Sequence, residues 1–330
     1  MPPNESADLA VTAVPVDGER PILIVGLPRS GTTWTQRVLG SAPRIVRVAE
    51  PDNEDKYPEA IYAKQPFGRY PSLAPGQDAP HYRRLWEWIL SGAPESRRTH
   101  LARKVLGPGA AERVYDGHVG PQTWLGATLA RNPVPSRGPG GRVIVKSIHA
   151  QLSLEWIADE FDVTPLVLLR HPANVLASWK ELKLKDGRNP SIESREDIRA
   201  RFADRWGVPM PGPDPIERMS WRIGLLNAAL EESIGRHPEW HVRTHEQLCT
   251  DSEVTFRTLY GDLGLEWSEA PSNFLVQSNV PGDGFVPHRV ASELSESWTH
   301  RLDDHELATL RRVLSQFPIR TWSGADFERP

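Results

Sequence analysis

The chain has 330 residues, with 39 Lys and Arg against 43 Asp and Glu for a formal net charge of −4. That balance does not advertise the basic face that neutralising phosphates needs, and it argues against nucleic acid as the main partner. A single cysteine, Cys249, excludes an intramolecular disulfide and a cysteine-based metal cluster, so nothing requires an oxidising compartment.

Residues 1–20 include Asn4, Glu5, Asp8, Asp17 and Glu19 and hold no apolar stretch of signal-peptide length. They read as a mobile tail on a soluble, cytoplasmic protein. No run approaches the roughly 18 apolar residues of a membrane span. The rest, 21–330, is expected to form one α/β domain.

The first clear element is Ile22 to Val25, a nearly pure apolar run that reads as a strand buried on both faces. A Gly/Pro turn follows, then a helical pattern from Thr32 to Leu39. Arg44 to Ala49 is a second extended segment delivering Glu50 and Pro51. Residues 51–140 read as an insertion over the carboxyl edge of the sheet, with Pro/Gly loops at 64–80 and 132–141 and helices at His81 to Leu90 and His118 to Leu129. Trp86, Trp88 and Trp124 in this insertion, with Trp206, are candidates to line an acceptor pocket.

Strands are expected at Arg142 to Ser147, Thr164 to Leu169 and Trp240 to Thr244. Helices are expected at 152–161, from Pro172 through Leu182, at 219–234 and at 254–263. A last helix opens on Asp303 and Glu306, spaced as a capping box. Residues 184–216 read as a charged, then Pro/Gly-rich connection, and 245–248 as the exit of the last strand. Strands alternating with helices imply a central parallel sheet flanked by helices, with the ligand outside the carboxyl ends of the strands.

Strand, glycine-bearing loop and helix make an anion-binding unit, because loop N–H groups and the positive end of the helix dipole converge there. The stretch reads Gly26-x-x-x-x-Gly31-Thr32-Thr33, which keeps P-loop spacing but replaces the lysine with threonine. Positive charge instead sits in the loop, at Arg29. The run Pro28-Arg29-Ser30-Gly31-Thr32-Thr33-Trp34 resembles the first signature of the sulfotransferases that use 3'-phosphoadenosine 5'-phosphosulfate. That resemblance implies that Arg29, Ser30, Gly31, Thr32, Thr33 and Trp34 hold the 5'-phosphosulfate.

A second signature lies at Arg170-His171-Pro172-x-x-Val175-x-x-Ser178. In the family the corresponding Arg and Ser bind the 3'-phosphate, and a guanidinium fork beside a hydroxyl suits that group. Weaker likenesses extend along the chain. Lys146-Ser147 resembles the family's Lys-Thr pair, whose lysine approaches the bridging oxygen of the leaving phosphate. His245-Glu246-Gln247-Leu248 resembles the family's Tyr-Glu-Asp-Leu, with His in place of the adenine-side Tyr. Ser297-Trp298-Thr299 resembles a Trp-containing segment before the last helix, and Arg289 in the preceding loop is assigned to the cover of the 3'-phosphate.

The resemblance therefore implies a P-loop-like fold and in-line transfer of a sulfuryl group from 3'-phosphoadenosine 5'-phosphosulfate (PAPS). The acceptor is a hydroxyl or amine of a small molecule, lipid or glycan, and adenosine 3',5'-bisphosphate (PAP) is released. No metal is required, and a homodimer is left open. Arg29 and Lys146 would stabilise charge on the leaving phosphate. Two residues compete for the general base. His149 lies three residues past Lys146, where the family has its His two residues on, and strand alternation would turn it to the opposite face. Glu50 resembles the carboxylate base of the glycan- and trehalose-modifying branches and is slightly favoured, on the expectation that burial raises its pKa. The rival readings are a small-molecule kinase, against which stand Thr32 in place of the loop lysine and Arg170 where an acidic magnesium ligand would fall, and a non-catalytic binder of the bisphosphate.

Overall fold

A computed structural model describes residues 20–92, 96–118, 120–135, 140–182, 191–279, 296–322 and 324–329. Arg289, assigned above to the phosphate cover, lies outside the described residues. Five strands form one sheet: β1 (Ile22–Gly26), β2 (Ile45–Ala49), β3 (Arg142–Ser147), β4 (Thr164–Leu169) and β5 (His241–Thr244). Their order is β2-β3-β1-β4-β5, and every pairing is parallel.

The apolar run of β1 is central because it is buried on both faces. Leu23 and Val25 join Val145, Val167 and Leu169 in the core on one side, while Ile22 and Ile24 join Ile144, Leu166 and Leu168 on the other. Period-two alternation thus feeds two separate cores from the same strands. The smaller core is closed by α1 (Thr32–Leu39), through Val38 and Leu39, and by helix Ser252–Asp262, through Phe256, Leu259 and Tyr260. The larger is closed by α3 (Pro80–Leu90), α7 (Leu154–Glu160), α8 (Pro172–Glu181) and the long helix Pro215–Arg236. The last helix, Asp304–Leu314, packs on that long helix, and its N-terminus carries the expected reciprocal cap between Asp303 and Glu306.

The insertion is more ordered than its composition suggests. It contains α2 (Pro58–Lys64), α4 (Arg97–Leu106), α5 (Ala110–Tyr115) and α6 (Pro121–Ala130), which share a small core of their own around Ile61, Tyr62, Ala102, Leu106 and Val114. Helix α6 starts at Pro121 rather than His118, because Gly120 and Thr123 form the turn that opens it. The expected exit at 245–248 is helix His245–Thr250, capped by Thr244 and Gln247, and a further helix covers Glu269–Ser278. Within the described part of 184–216, short helical turns run from Ile192 to Trp206. Among the described residues no helix is long and apolar enough to cross a membrane.

Parallel strands point all their carboxyl ends to one edge. Beyond those ends stand Arg29 after β1, Glu50 after β2, Arg170 after β4 and His245 after β5, with Lys146 next to last in β3.

Candidate active site

The loop between β1 and α1 bends through two left-handed residues, Arg29 with a φ of 76° and Gly31 with a φ of 81°. A non-glycine residue at such a φ is strained and persists only where its surroundings hold it. Three contacts do so here. Arg170 donates to the Arg29 carbonyl at 2.5 Å, the Arg29 Nε donates to Ser178 Oγ at 2.9 Å, and Trp179 Nε1 donates to the Pro28 carbonyl at 2.9 Å. The two signatures read in the sequence, 141 residues apart, thus meet at Arg29 itself.

Two buried polar atoms in this cradle, Ser30 Oγ and Arg170 Nε, have no hydrogen-bond partner among the described residues. Unpaired buried donors are costly, so a cradle that keeps a hydroxyl and a guanidinium N–H in that state is suited to an anionic ligand that accepts from them. Burial and the neighbouring Arg29 lower the Arg170 pKa to about 10, with Glu246 opposing, so the guanidinium stays charged at neutral pH. His245 is fully desolvated between Arg170 and Arg29, which drives its pKa well below the ordinary value and keeps it neutral.

Gly31 is the tightest point. A Cβ there would come within 2.3 Å of His245 Cδ2, in a backbone conformation that L side chains rarely adopt. Gly31→Ala is expected to destabilise the protein by about 1–3 kcal/mol and to weaken anion binding, because the loop must reshape. Denaturant unfolding and a ligand titration of the variant check both. Trp34 leaves the loop on the other side, where its Nε1 donates to Ser278 Oγ at 3.2 Å and its ring packs edge-on to Phe256. Thr32 is buried.

Lys146 links this loop to Glu50. Its Nζ, on a side chain 2% exposed, donates to Thr33 Oγ1 at 3.0 Å and forms an ion pair with Glu50 Oε1. The other Glu50 oxygen accepts from Asn53 Nδ2 at 3.0 Å and pairs with Lys56 at 2.5 Å. Glu50 has a φ of 53°, and its N–H donates to the Lys146 carbonyl at 2.7 Å, which locks the turn after β2 beside the end of β3. Burial pushes the Glu50 carboxyl up, but Lys146 and Lys56 outweigh it and hold the pKa at about 2. The expectation of a raised pKa is therefore reversed: burial is present, and two lysines overcome it. Burial lowers the Lys146 pKa, with Glu50 opposing.

A carboxylate whose folded-state pKa is depressed lends stability above its unfolded value and loses it as pH falls through the folded one. For Glu50 that window runs from 4.5 down to about 2. Glu50→Gln is expected to remove this share of the acid sensitivity, so its unfolding free energy falls less steeply over that window than the wild type's. Urea titrations at stepped pH measure the difference.

His149 is held elsewhere. It is 2% exposed, with its ring near Glu54 Oε2 and Lys64 Nζ, both at 3.4 Å, and edge-on to Tyr70. Lys64 in turn pairs with Glu54 at 3.0 Å and donates to the Asp52 carbonyl. Burial and Lys64 lower the His149 pKa, so the ring is neutral inside a charge cluster behind the strand ends. Its described contacts join it to the insertion, and not to Arg29, Lys146 or Glu50. The turn that places it there is made by Ser147, whose hydroxyl accepts from the His149 and Ala150 N–H groups and donates to Asp52 at 2.5 Å.

Trp86 and Trp88 are 0% and 2% exposed in the larger core, so they do not line a pocket, and Trp206 packs on Phe202 and Phe317. Trp124 is exposed. Sequence reasoning missed Asn53 and Lys56, three and six residues beyond Glu50. A polar run directly after a strand end, Asp52 to Lys56, was the available signal.

The first loop of this parallel sheet is strained, is held by an arginine from the end of the neighbouring strand β4, and lies beside a Lys–Glu pair. The chain belongs to the sulfotransferase family, whose sequence pattern matches residues 21–269. Among solved structures it is similar to the sulfotransferase domain from the curacin biosynthetic pathway, at 14% identity over 90% of this chain and 97% of that one, with a TM-score of 0.48. It is also similar to the sulfotransferase domain of the Synechococcus PCC 7002 olefin synthase, at 17% identity over 92% and 98% and a TM-score of 0.44. A third likeness is to retinol dehydratase in a complex with retinol and PAP, at 14% identity over 91% and 83% and a TM-score of 0.39. No curated protein sequence matches the chain.

Proposed function

We propose that the protein moves a sulfuryl group from PAPS to a hydroxyl or amine of a small-molecule, lipid or glycan acceptor. The observation that carries this reading is the double hold on Arg29, whose side chain reaches Ser178 while its carbonyl accepts from Arg170. A 5'-phosphosulfate in the loop and a 3'-phosphate at Arg170 and Ser178 would occupy adjoining sites that share one residue. The hydroxyl of Ser30 and the Arg170 N–H, both without a partner among the described residues, are the donors suited to them.

In the proposed step the acceptor oxygen or nitrogen forms a bond to sulfur as the bond from sulfur to the phosphate oxygen breaks. The electron pair leaves on the 5'-phosphate of PAP, and the acceptor's proton passes to Glu50. Lys146 and Arg29 stabilise the charge that grows on the departing phosphate. Glu50 at a pKa of about 2 is a weak base in the free protein. A donor that draws Lys146 toward its phosphate removes the larger of the two lysine influences holding that pKa down and leaves burial opposed by Lys56 alone, so the pKa rises. Donor binding thus strengthens the base.

The test is release of PAP from PAPS, followed by chromatography against a panel of phenols, sterols, sugars and amines. At least one class is expected to accelerate release, and Arg170→Ala to abolish the acceleration. Failure to bind PAP, with no release against any class, would overturn the reading.

A further inference from the structure

The outer face of the insertion breaks two rules that a merely solvated surface obeys. Helix α6 (Pro121–Ala130) carries no charged side chain, yet its buried residues are the small Gly126 and Ala130, while Trp124 and Leu125 are 66% and 42% exposed. Helix α4 (Arg97–Leu106), packed directly on it, carries five basic side chains counting His100 and no acidic one, and Leu101 on it is 50% exposed. Arg97 and Arg98 stand in its first turn, against the positive end of the helix dipole, where anionic side chains are favoured.

The two stripes lie side by side. Arg98 donates to the Thr128 carbonyl across the helix pair at 2.7 Å, and Gly126 lets α6 seat directly on Leu106. The helix pair thus exposes an indole and two leucines beside cations. Among the described residues Arg97, Arg98 and Lys104 have no ion-pair partner. A second copy of the chain is a poor occupant, because a symmetric contact would set these cations against themselves.

We propose that this face docks the protein on an anionic lipid surface. Trp124, Leu125 and Leu101 would sit at the boundary between headgroups and acyl chains, and Arg97, Arg98 and Lys104 among the anionic headgroups. That division of labour is the one by which amphipathic surfaces bind membranes without crossing them, and a tryptophan beside basic residues suits the interfacial depth. It also explains cations placed against the helix dipole: their favourable partner lies outside the protein. The inference does not depend on the donor or the chemistry.

Cosedimentation with phosphatidylcholine vesicles, with and without phosphatidylserine, tests it. The wild-type chain is expected to sediment with the anionic vesicles, to remain with the supernatant over neutral ones, and to be released by salt. Arg97→Gln and Lys104→Gln should each weaken binding about fivefold. Trp124→Ala combined with Leu125→Ala should weaken it roughly tenfold or more. These residues are exposed, so an unchanged thermal transition certifies that the variants fold. Absence of wild-type binding to anionic vesicles, or variants that bind as well as the wild type, would overturn the proposal. So would light scattering that finds a dimer dissociated by the Trp124/Leu125 change, which would make the face a self-interface.

Discussion

Arg170→Ala is expected to weaken binding of PAP on the order of a hundredfold to a thousandfold while leaving AMP, which lacks the 3'-phosphate, much less affected. Arg170 is 6% exposed, keeps its charge despite burial, and holds an N–H with no partner among the described residues at the edge of the loop. A phosphate accepting from it there is a desolvated charge pair, and truncating one side of such a pair costs about 2–5 kcal/mol. Arg170→Lys should recover little, since an ammonium cannot both hold the Arg29 carbonyl and offer a second parallel donor. Calorimetric titration of both nucleotides separates the two effects: equal losses for PAP and AMP would mean that the arginine supports the loop rather than recognising the 3'-phosphate.

The second large effect is expected at Lys146. Lys146→Ala should lower kcat by about 10²–10³-fold, the range for removing one preorganised electrostatic partner of a transition state, with a smaller change in KM. The same substitution removes the strongest cation beside Glu50, leaving burial and Lys56 in opposition, so the acid limb of the rate profile should move to higher pH. Glu50→Gln should also slow turnover, and the double variant should be less impaired than the product of the two single losses, since the residues are in contact. Steady-state kinetics across pH for the three variants checks this. An unmoved acid limb in Lys146→Ala would remove Glu50 from the role of base.

The parts of the fold legible in the sequence are those whose pattern has one cause. β3 and β4 occur with the bounds expected, and β1 runs one residue past its expected end, because a strand buried on both faces is a short apolar run with little else to be. The last helix was marked by its own cap. Helices α4 and α5 were hidden because they bury few residues, and α2 because it is buried along its whole length, Glu59 and Lys64 included, which leaves no apolar stripe to read. In α4 only Thr99, Ala102 and Leu106 face inward, too thin a stripe to set against nearby Pro and Gly. Helix Glu269–Ser278 carries Pro271 in its first turn, which reads as a breaker until the cap at Ser268 is seen.

The site divides the same way. Loop spacing and strand ends placed Arg29 and Arg170 at the observed edge, because a parallel sheet fixes where strand ends go, whereas Lys146 and Ser178 were singled out by the resemblance to the sulfotransferases. The electrostatics of Glu50 depended on Lys146, 96 residues away, and on Lys56 in a turn with no periodic signal. No local pattern reports such a pair. His149 turned inward because Ser147 ends the strand and starts a hydrogen-bonded turn, so strand alternation no longer governed its direction.

The most direct measurement is calorimetric titration of the purified chain with PAP in the absence of magnesium, beside ATP with magnesium. The account predicts that the bisphosphate binds markedly tighter than ATP and that Arg170→Ala removes the difference. ATP with magnesium binding as well as the bisphosphate, or better, would contradict it.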